Sequence, residues 1–235
     1  MKPLKIAKKT KAYISLALVL LCTLVIDLSQ VIRLANQGFA TAQYTLGEMY
    51  DEGRGVRQDD QKALEWYTKA ANQGDAGAQH HLGWVYSSGQ GVRQDYQKAL
   101  EWYTKAANQG YANAQYVLGA TYHLGLHGVV QDYQKALEWY TEAANQGDAD
   151  AQYLLGEMYY EGRDVRQDYQ KAFEWYTKAA NQGKADAQYN LGVMYYNGQG
   201  VRQDYRKAKE RFGLSCDNGD QEGCDAYKEL NQRGF

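Results

Sequence analysis

The chain is poor in residues that break helices and in the motifs that carry covalent chemistry. Its only proline is Pro3, so nothing in the body of the sequence forces a helix to stop or kink. No Ser-x-x-Lys, Gly-x-Ser-x-Gly, Gly-x-x-x-x-Gly-Lys-[Ser/Thr] or His-Glu-x-x-His occurs, so the usual serine-enzyme machinery, the phosphate-cradling loop and the zinc-protease helix are all missing. The four histidines are His80, His81, His123 and His127. His123 and His127 are four apart, but Gly125-Leu126-His127-Gly128 ends a helix, which puts the second on a loop and leaves both as ordinary surface or groove residues. Charge of neither sign dominates. Beyond residue 29 the chain holds 21 basic and 27 acidic residues, a mildly acidic body with no electrostatic reason to bind nucleic acid or an anionic membrane. The uncharged apolar run from Ala12 to Ile26 is 15 residues long, short of the ~20 that comfortably span a bilayer.

What the sequence has is repetition. Tyr96–Gly110, YQKALEWYTKAANQG, recurs at 60–74, 133–147 and 169–183, with a worn copy at 205–219. A second phrase alternates with it: AQYTLGEMY at 42–50, then variants at 78–86, 114–122, 151–159 and 187–195. The closing glycines Gly38, Gly74, Gly110, Gly147, Gly183 and Gly219 are spaced by 36, 36, 37, 36 and 36 residues. A fixed period of this size marks a solenoid of two-element units.

Both phrases predict helices. Ala99, Trp102, Tyr103 and Ala106 share one face, as do Ala78, Leu82, Val85 and Tyr86. Asp95 stands at an N-cap position and Gly110 just past the helix end. Helices are expected near 40–51, 59–72, 76–87, 95–108, 112–124, 132–145, 149–160, 168–181, 185–196, 204–217 and 221–231, without strands, and the leader should run on as helix towards Leu34. Each first phrase holds a mid-helix glycine (Gly47, Gly83, Gly119, Gly156, Gly192) at about 1 kcal/mol against alanine, which predicts close approach of a neighbouring helix there. Trp66, Trp102, Trp139 and Trp175 recur at one position and read as core. Glu65–Lys69, Glu101–Lys105 and Glu174–Lys178 are spaced for surface ion pairs.

The pattern A-x-A-Q-x-x-L-G-x-x-Y, G-x-G-V-x-x-D, K-A-x-x-W-Y-x-K-A-A-x-Q-G resembles the Sel-one-like repeat, a relative of the tetratricopeptide repeat, over residues 39–219. The resemblance implies an all-α fold, a right-handed α/α superhelix of antiparallel helix pairs that binds other proteins. Five repeats are expected (39–74, 75–110, 111–147, 148–183, 184–219), preceded by a residual half repeat at 30–38 and followed by a capping helix at 220–235. Cys216 and Cys224, with seven residues between them, are placed as in cysteine-rich secreted members, where the pair is a disulfide. The spacing is not that of a zinc site, and no metal or cofactor is expected.

Residues 1–29 differ in kind. Lys2, Lys5, Lys8, Lys9 and Lys11 precede the apolar run, as in a secretory leader. No small-x-small cleavage site follows, so a cleaved signal peptide and an uncleaved anchor through residues 12–28 both stand. Cys22 reads as an apolar residue in an apolar run. The protein is expected to be exported, periplasmic or secreted, with anchorage to the inner membrane left open.

Copies within one chain also show which positions the scaffold does not require. Positions 41, 45, 48 and 52 form one helical stripe, and in later copies they read Gly77-His81-Trp84-Ser88, Asn113-Val117-Ala120-Leu124, Asp150-Leu154-Glu157-Glu161 and Asp186-Asn190-Val193-Asn197. In helix-pair solenoids the first helix lines the concave side. His81, Trp84, Val117, Leu124 and Leu154 are therefore the candidate protein-binding residues, an apolar patch with acidic ends. The expected function is a non-enzymatic scaffold for a protein or peptide. The alternatives are a β-lactam hydrolase or peptidoglycan-active enzyme, as in cysteine-rich relatives, and a membrane-tethered adaptor.

Overall fold

The computed structural model describes residues 28–162 and 165–235. The expectations for the leader, with Cys22 and all but the last residue of the candidate anchor, lie outside them. Among the described residues there are twelve helices and no strand. They are α1 (Leu28–Asn36), α2 (Ala40–Glu52), α3 (Asp60–Asn72), α4 (Ala76–Ser88), α5 (Tyr96–Asn108), α6 (Ala112–Leu124), α7 (Tyr133–Asn145), α8 (Ala149–Glu161), α9 (Tyr169–Asn181), α10 (Ala185–Asn197), α11 (Tyr205–Asp217) and α12 (Gln221–Gln232). The fold class is an all-α solenoid of consecutively packed helix pairs, and the helix ends fall within about a residue of those read from periodicity. Two compact units meet in sequence at Ala78 and Gln79. In the first, α1 packs on α2 and α2 on α3; in the second, each helix from α5 to α12 packs on the next.

Every second helix starts and stops by the same devices. Asp59, Asp95, Asp132, Asp168 and Asp204 each accept a bond from the backbone amide three residues on, satisfying one of the orphan donors of the first turn. At the other end, Gly110 takes φ 84° while its amide donates to Ala107 O and that of Tyr111 to Ala106 O, a Schellman closure that glycine adopts without steric cost. The preceding loop glutamines are also committed. Gln94, Gln131, Gln167 and Gln203 donate to Ser87 O, His123 O, Tyr160 O and Tyr196 O at 2.7–2.8 Å, so the last carbonyls of the first helices are covered.

The helix glycines are explained by what lies on them. A Cβ on Gly119 would fall 2.5 Å from the Tyr140 ring, and the same holds for Gly156 against Tyr176 and Gly192 against Phe212. Gly47 and Gly83 meet Tyr67 and Tyr103 at 2.7 Å. The close approach is thus a ring seated on the bare helix, rather than two backbones in contact.

This corrects the reading of the tryptophans. The core residue of the pair is the tyrosine: Tyr67, Tyr140 and Tyr176 are each 1% exposed, whereas Trp66, Trp102, Trp139 and Trp175 are half-buried. Trp139 packs against the Tyr103–Leu118 cluster, and Trp175 against the Tyr140–Leu155 cluster, each built from the copy before and the indole's own copy, so the indole sits where copies join. Lys69, Lys105 and Lys178, read as ion-pair partners, hold their ammonium groups 3.7–3.8 Å from the Trp66, Trp102 and Trp175 ring centres, a cation–π contact.

A buried glutamine ties three helices in four of the five copies. Gln115 Nε2 donates to Ala107 O of the preceding second helix at 3.1 Å, and its Oε1 accepts from Gln146 Nε2 at 2.6 Å. Gln43 links Ala35 O and Gln73 in the same way, Gln152 links Ala144 O and Gln182, and Gln188 links Ala180 O and Asn218. At the C-terminus, Cys216 and Cys224 form a disulfide with Cα atoms 4.5 Å apart, and Leu230 of α12 is buried with Ala208 and Phe212.

Gly119→Ala should destabilise by about 1–3 kcal/mol, although alanine favours an open helix by ~1 kcal/mol. In a Tyr140→Ala background, itself costing about 3–5 kcal/mol, the same change should turn neutral or stabilising. Chemical denaturation of the four-member cycle checks this; a Gly119→Ala that stabilises the parent would remove the seated-ring account. Trp139→Ala should cost clearly less than Tyr140→Ala, about 2 kcal/mol.

Candidate functional site

The stripe positions fall on the first helices, and in the second unit these are α4, α6, α8 and α10. One turn of helix separates His81 from Trp84, and their rings meet edge to face at 5.9 Å. Trp84 is 42% exposed and Leu124 61% exposed. Val117 and Leu154 are half-buried, each leaning on a core cluster that its own copy shares with the one before. The five candidate residues therefore divide: Trp84 and Leu124 offer free apolar surface, while Val117 and Leu154 offer only an edge. In the first unit the stripe is polar, with the Thr45 hydroxyl donating to Thr41 O and Glu48 3.7 Å from Arg54.

A row of tyrosines flanks the stripe, one residue earlier in each copy. Tyr116, Tyr153 and Tyr189 rest against the buried rings of Tyr140, Tyr176 and Phe212 at 5.4–6.0 Å. Burial raises the pKa of all three hydroxyls, and the carboxylates Asp150 and Asp148 beside Tyr116, Glu157 and Asp186 beside Tyr153, and Glu222 and Asp220 beside Tyr189 raise them further. Tyr153 donates its hydroxyl proton to Glu157 Oε1 at 2.7 Å. The next helix thus places its acids against the tyrosine of the copy before it.

Lys184 breaks the local rule. It occupies the N-cap of α10 and makes no side-chain cap, where Asp75, Asp148 and Asp220 each accept backbone amide bonds. Its ammonium instead lies 2.7 Å from Asp150 and 3.7 Å from Asp186, 5.7 Å from the Tyr153 ring centre. The Asp150 hydrogen bond is the main cause of its raised pKa.

Sequence reasoning missed a second apolar patch. Leu126 and Val130 are exposed, Val130 by 84%, and Tyr96 is exposed beside them in sequence register with the preceding loop. His127, at φ 60°, stacks on Tyr96 with ring centres 4.1 Å apart. The signal was available: this loop carries the extra residue of copy three, and Val130 replaces the arginine found as Arg57, Arg93, Arg166 and Arg202. No group of three or more His, Cys, Asp or Glu among the described residues is arranged to hold a metal ion. A cleft of about 660 Å³ between Gln115, Leu137 and Trp139 contains none of the candidate binding residues.

His80 packs among the aromatic rings of the core. It stands where other copies have Tyr44, Tyr116, Tyr153 and Tyr189, and packs 5.5 Å from the Tyr103 ring and 5.2 Å from Tyr111. Burial, assisted by neighbouring His81, pushes its pKa from 6.5 down to about 4. The unfolded chain therefore takes up this proton first, so stability held above pH ~6.5 is lost as pH falls towards ~4. His80→Tyr should flatten this acid limb in thermal melts between pH 7 and 4; an unchanged pH profile would place the sensitivity elsewhere.

Five consecutive segments, residues 40–75, 76–111, 112–148, 149–184 and 185–220, match the Sel1 repeat family. Among solved structures, the chain is similar to a protective antigen present in uropathogenic Escherichia coli strains displaying an SLR fold, at 37% identity and a TM-score of 0.84 over 88% of this chain and 44% of that one. It thus spans less than half of that protein. A Sel1 repeat protein from Oxalobacter formigenes is 34% identical with a TM-score of 0.74, covering 85% of this chain and 80% of that one. A putative Sel1 repeat protein from Klebsiella pneumoniae is 28% identical with a TM-score of 0.51, over 86% and 98%. No curated protein matches. With every residue from 40 to 220 inside a matched repeat, this chain belongs to the Sel1-repeat family.

Proposed function

We propose that this protein is a non-enzymatic scaffold, acting outside the cytoplasm, that holds a protein or peptide segment against the first-helix stripe of its second unit. One observation carries the reading. Trp84 presents its indole to solvent at a position the repeat leaves free, whereas the repeated tryptophans are spent on joining copies. An exposed tryptophan with apolar neighbours and a polar surround has the composition of an interface hot spot. A pre-formed helical surface also binds without the entropic cost of ordering a loop, and Trp84 lies mid-helix in α4.

Export is supported by the Cys216–Cys224 bond, since disulfides persist in oxidising compartments, and by the lysine-rich, then apolar, start of the sequence. Among the described residues no helix is long and apolar enough to cross a membrane, and the apolar segment that bears on anchoring precedes them. The antigenic relative is in keeping with exposure outside the cytoplasm. Hydrolysis of a β-lactam is the enzymatic rival, and turnover of nitrocefin by the purified protein would establish it.

Trp84→Ala should keep the melting temperature of the parent within a few degrees and weaken binding of the partner captured by the wild-type protein by at least ~2 kcal/mol, about thirtyfold. A variant that unfolds early would make Trp84 part of the core, and one that binds normally would move the function to another face. Protein recovered from its native compartment should show no thiol at Cys216 or Cys224 to a maleimide before reduction; labelling of both would defeat the export reading.

A further inference from the structure

We propose that the segment held on this face is basic: a lysine or arginine of the partner seats over Tyr189, between Asp186 and Glu222, while an apolar side chain anchors at Trp84 and Leu124. The proposal rests on the binding face described above and names the chemistry of its occupant.

The chain contains its own example of such a seat. Lys184 stands where Asp75, Asp148 and Asp220 cap their helices, makes no cap itself, and lies between Asp150 and Asp186, over Tyr153. One copy further on, the same three positions recur as Asp186, Glu222 and Tyr189, because each is 36 residues beyond its counterpart. The position equivalent to Lys184 is now Asp220, which is occupied with capping: it accepts from the amides of Glu222 and Gly223 and from the Ser215 hydroxyl. The second seat therefore has the ring and the flanking carboxylates without a lysine from its own repeat. Asp186, approached by Lys184 at 3.7 Å, still has 58% of its side chain exposed, Glu222 is exposed and Tyr189 half-buried, so a partner can reach all three. Tyr189 feels both Glu222 and Asp220, which places the acids of α12 close to its hydroxyl.

Charge along the face points the same way. The acids Asp148, Asp150, Glu157, Glu161, Asp186, Asp220 and Glu222 accompany Lys184 on the first-helix side of copies four and five and the start of α12. An excess of this size steers cationic segments and repels acidic ones. At the other end of the stripe, α4 and α6 carry no acid, and there Trp84 and Leu124 are exposed. An occupant complementary to both ends is basic at one end and apolar at the other. Tyrosine faces add to its hold on a cation.

The test uses a display library of random 12-residue peptides panned against the full chain, followed by anisotropy with the selected peptides at low salt. The expected binders carry lysine or arginine towards one end and a large apolar residue towards the other. Asp186→Asn with Glu222→Gln should weaken them about tenfold or more, and raising salt to about 0.5 M should do likewise. A charge-matched control on the second helices, Glu101→Gln with Glu138→Gln, should leave affinity within about twofold. Equal loss in the control pair would mean diffuse charge attraction and overturn the proposal. Neutral or acidic binders that still depend on Trp84 would overturn the basic occupant while leaving the binding face intact. If no binder responds to Trp84→Ala or to Leu124→Ala, the face itself is wrong and the proposal falls with it.

Discussion

In each copy an aromatic ring rests on a glycine. The first helix gives up a side chain at Gly47, Gly83, Gly119, Gly156 and Gly192, and the second helix lays Tyr67, Tyr103, Tyr140, Tyr176 or Phe212 into the space. The cost in helix propensity, about 1 kcal/mol per glycine, is offset by burial of a whole ring, about 2–3 kcal/mol. Copy five shows which part of the ring matters. Phe212 keeps the contact and lacks the hydroxyl, so the contact is one of shape. Much else follows from that spacing: the tyrosine row of the first helices packs on these rings, and the indoles of the second helices reach the neighbouring copy.

Periodicity made the fold legible, because helix ends in this chain are written chemically. An aspartate opens each second helix and a glycine closes it, and neither depends on distant residues. The assignment of Trp and Tyr within the face was not legible in the same way. Adjacent residues on a helix lie only 100° apart, so two neighbouring aromatics both fit an apolar stripe, and only packing decides which is enclosed. Gln115 and its equivalents were also hidden, since a buried amide is recognisable only once its two partners are known. The packing role of His80 is inherited from the tyrosines at its repeat position, Tyr44, Tyr116, Tyr153 and Tyr189, a comparison that single-residue reasoning did not make.

Of the candidate site, sequence comparison between copies picked out Trp84 and Leu124 as positions the scaffold leaves free, and both are exposed. The same comparison included Val117 and Leu154, which are half-buried against cores that span two copies. It overlooked the loop of copy three, where Leu126 and Val130 are exposed and His127 stacks on Tyr96. That loop carries the extra residue of copy three, and the very freedom from packing that allows an insertion also allows new surface chemistry. Specialisation in this chain is thus concentrated where the repeat makes no demand of its own.

The glutamine bridge has a consequence for how such a chain can change in length. Each bridging amide donates backwards to the helix before its copy and accepts from the end of its own second helix, so the linkage has a direction and a unit. Removing or adding a whole copy leaves every donor matched to an acceptor; removing half of one strands a buried amide. The two ends show what the rule demands of a terminus. Ala35 of α1, outside the matched repeats, supplies the carbonyl that Gln43 requires, and Asn218, standing where earlier copies have glutamine, supplies the amide that Gln188 requires. Lineages of such proteins should therefore differ by integral numbers of copies, with duplication free in the interior and the two flanking helices held fixed.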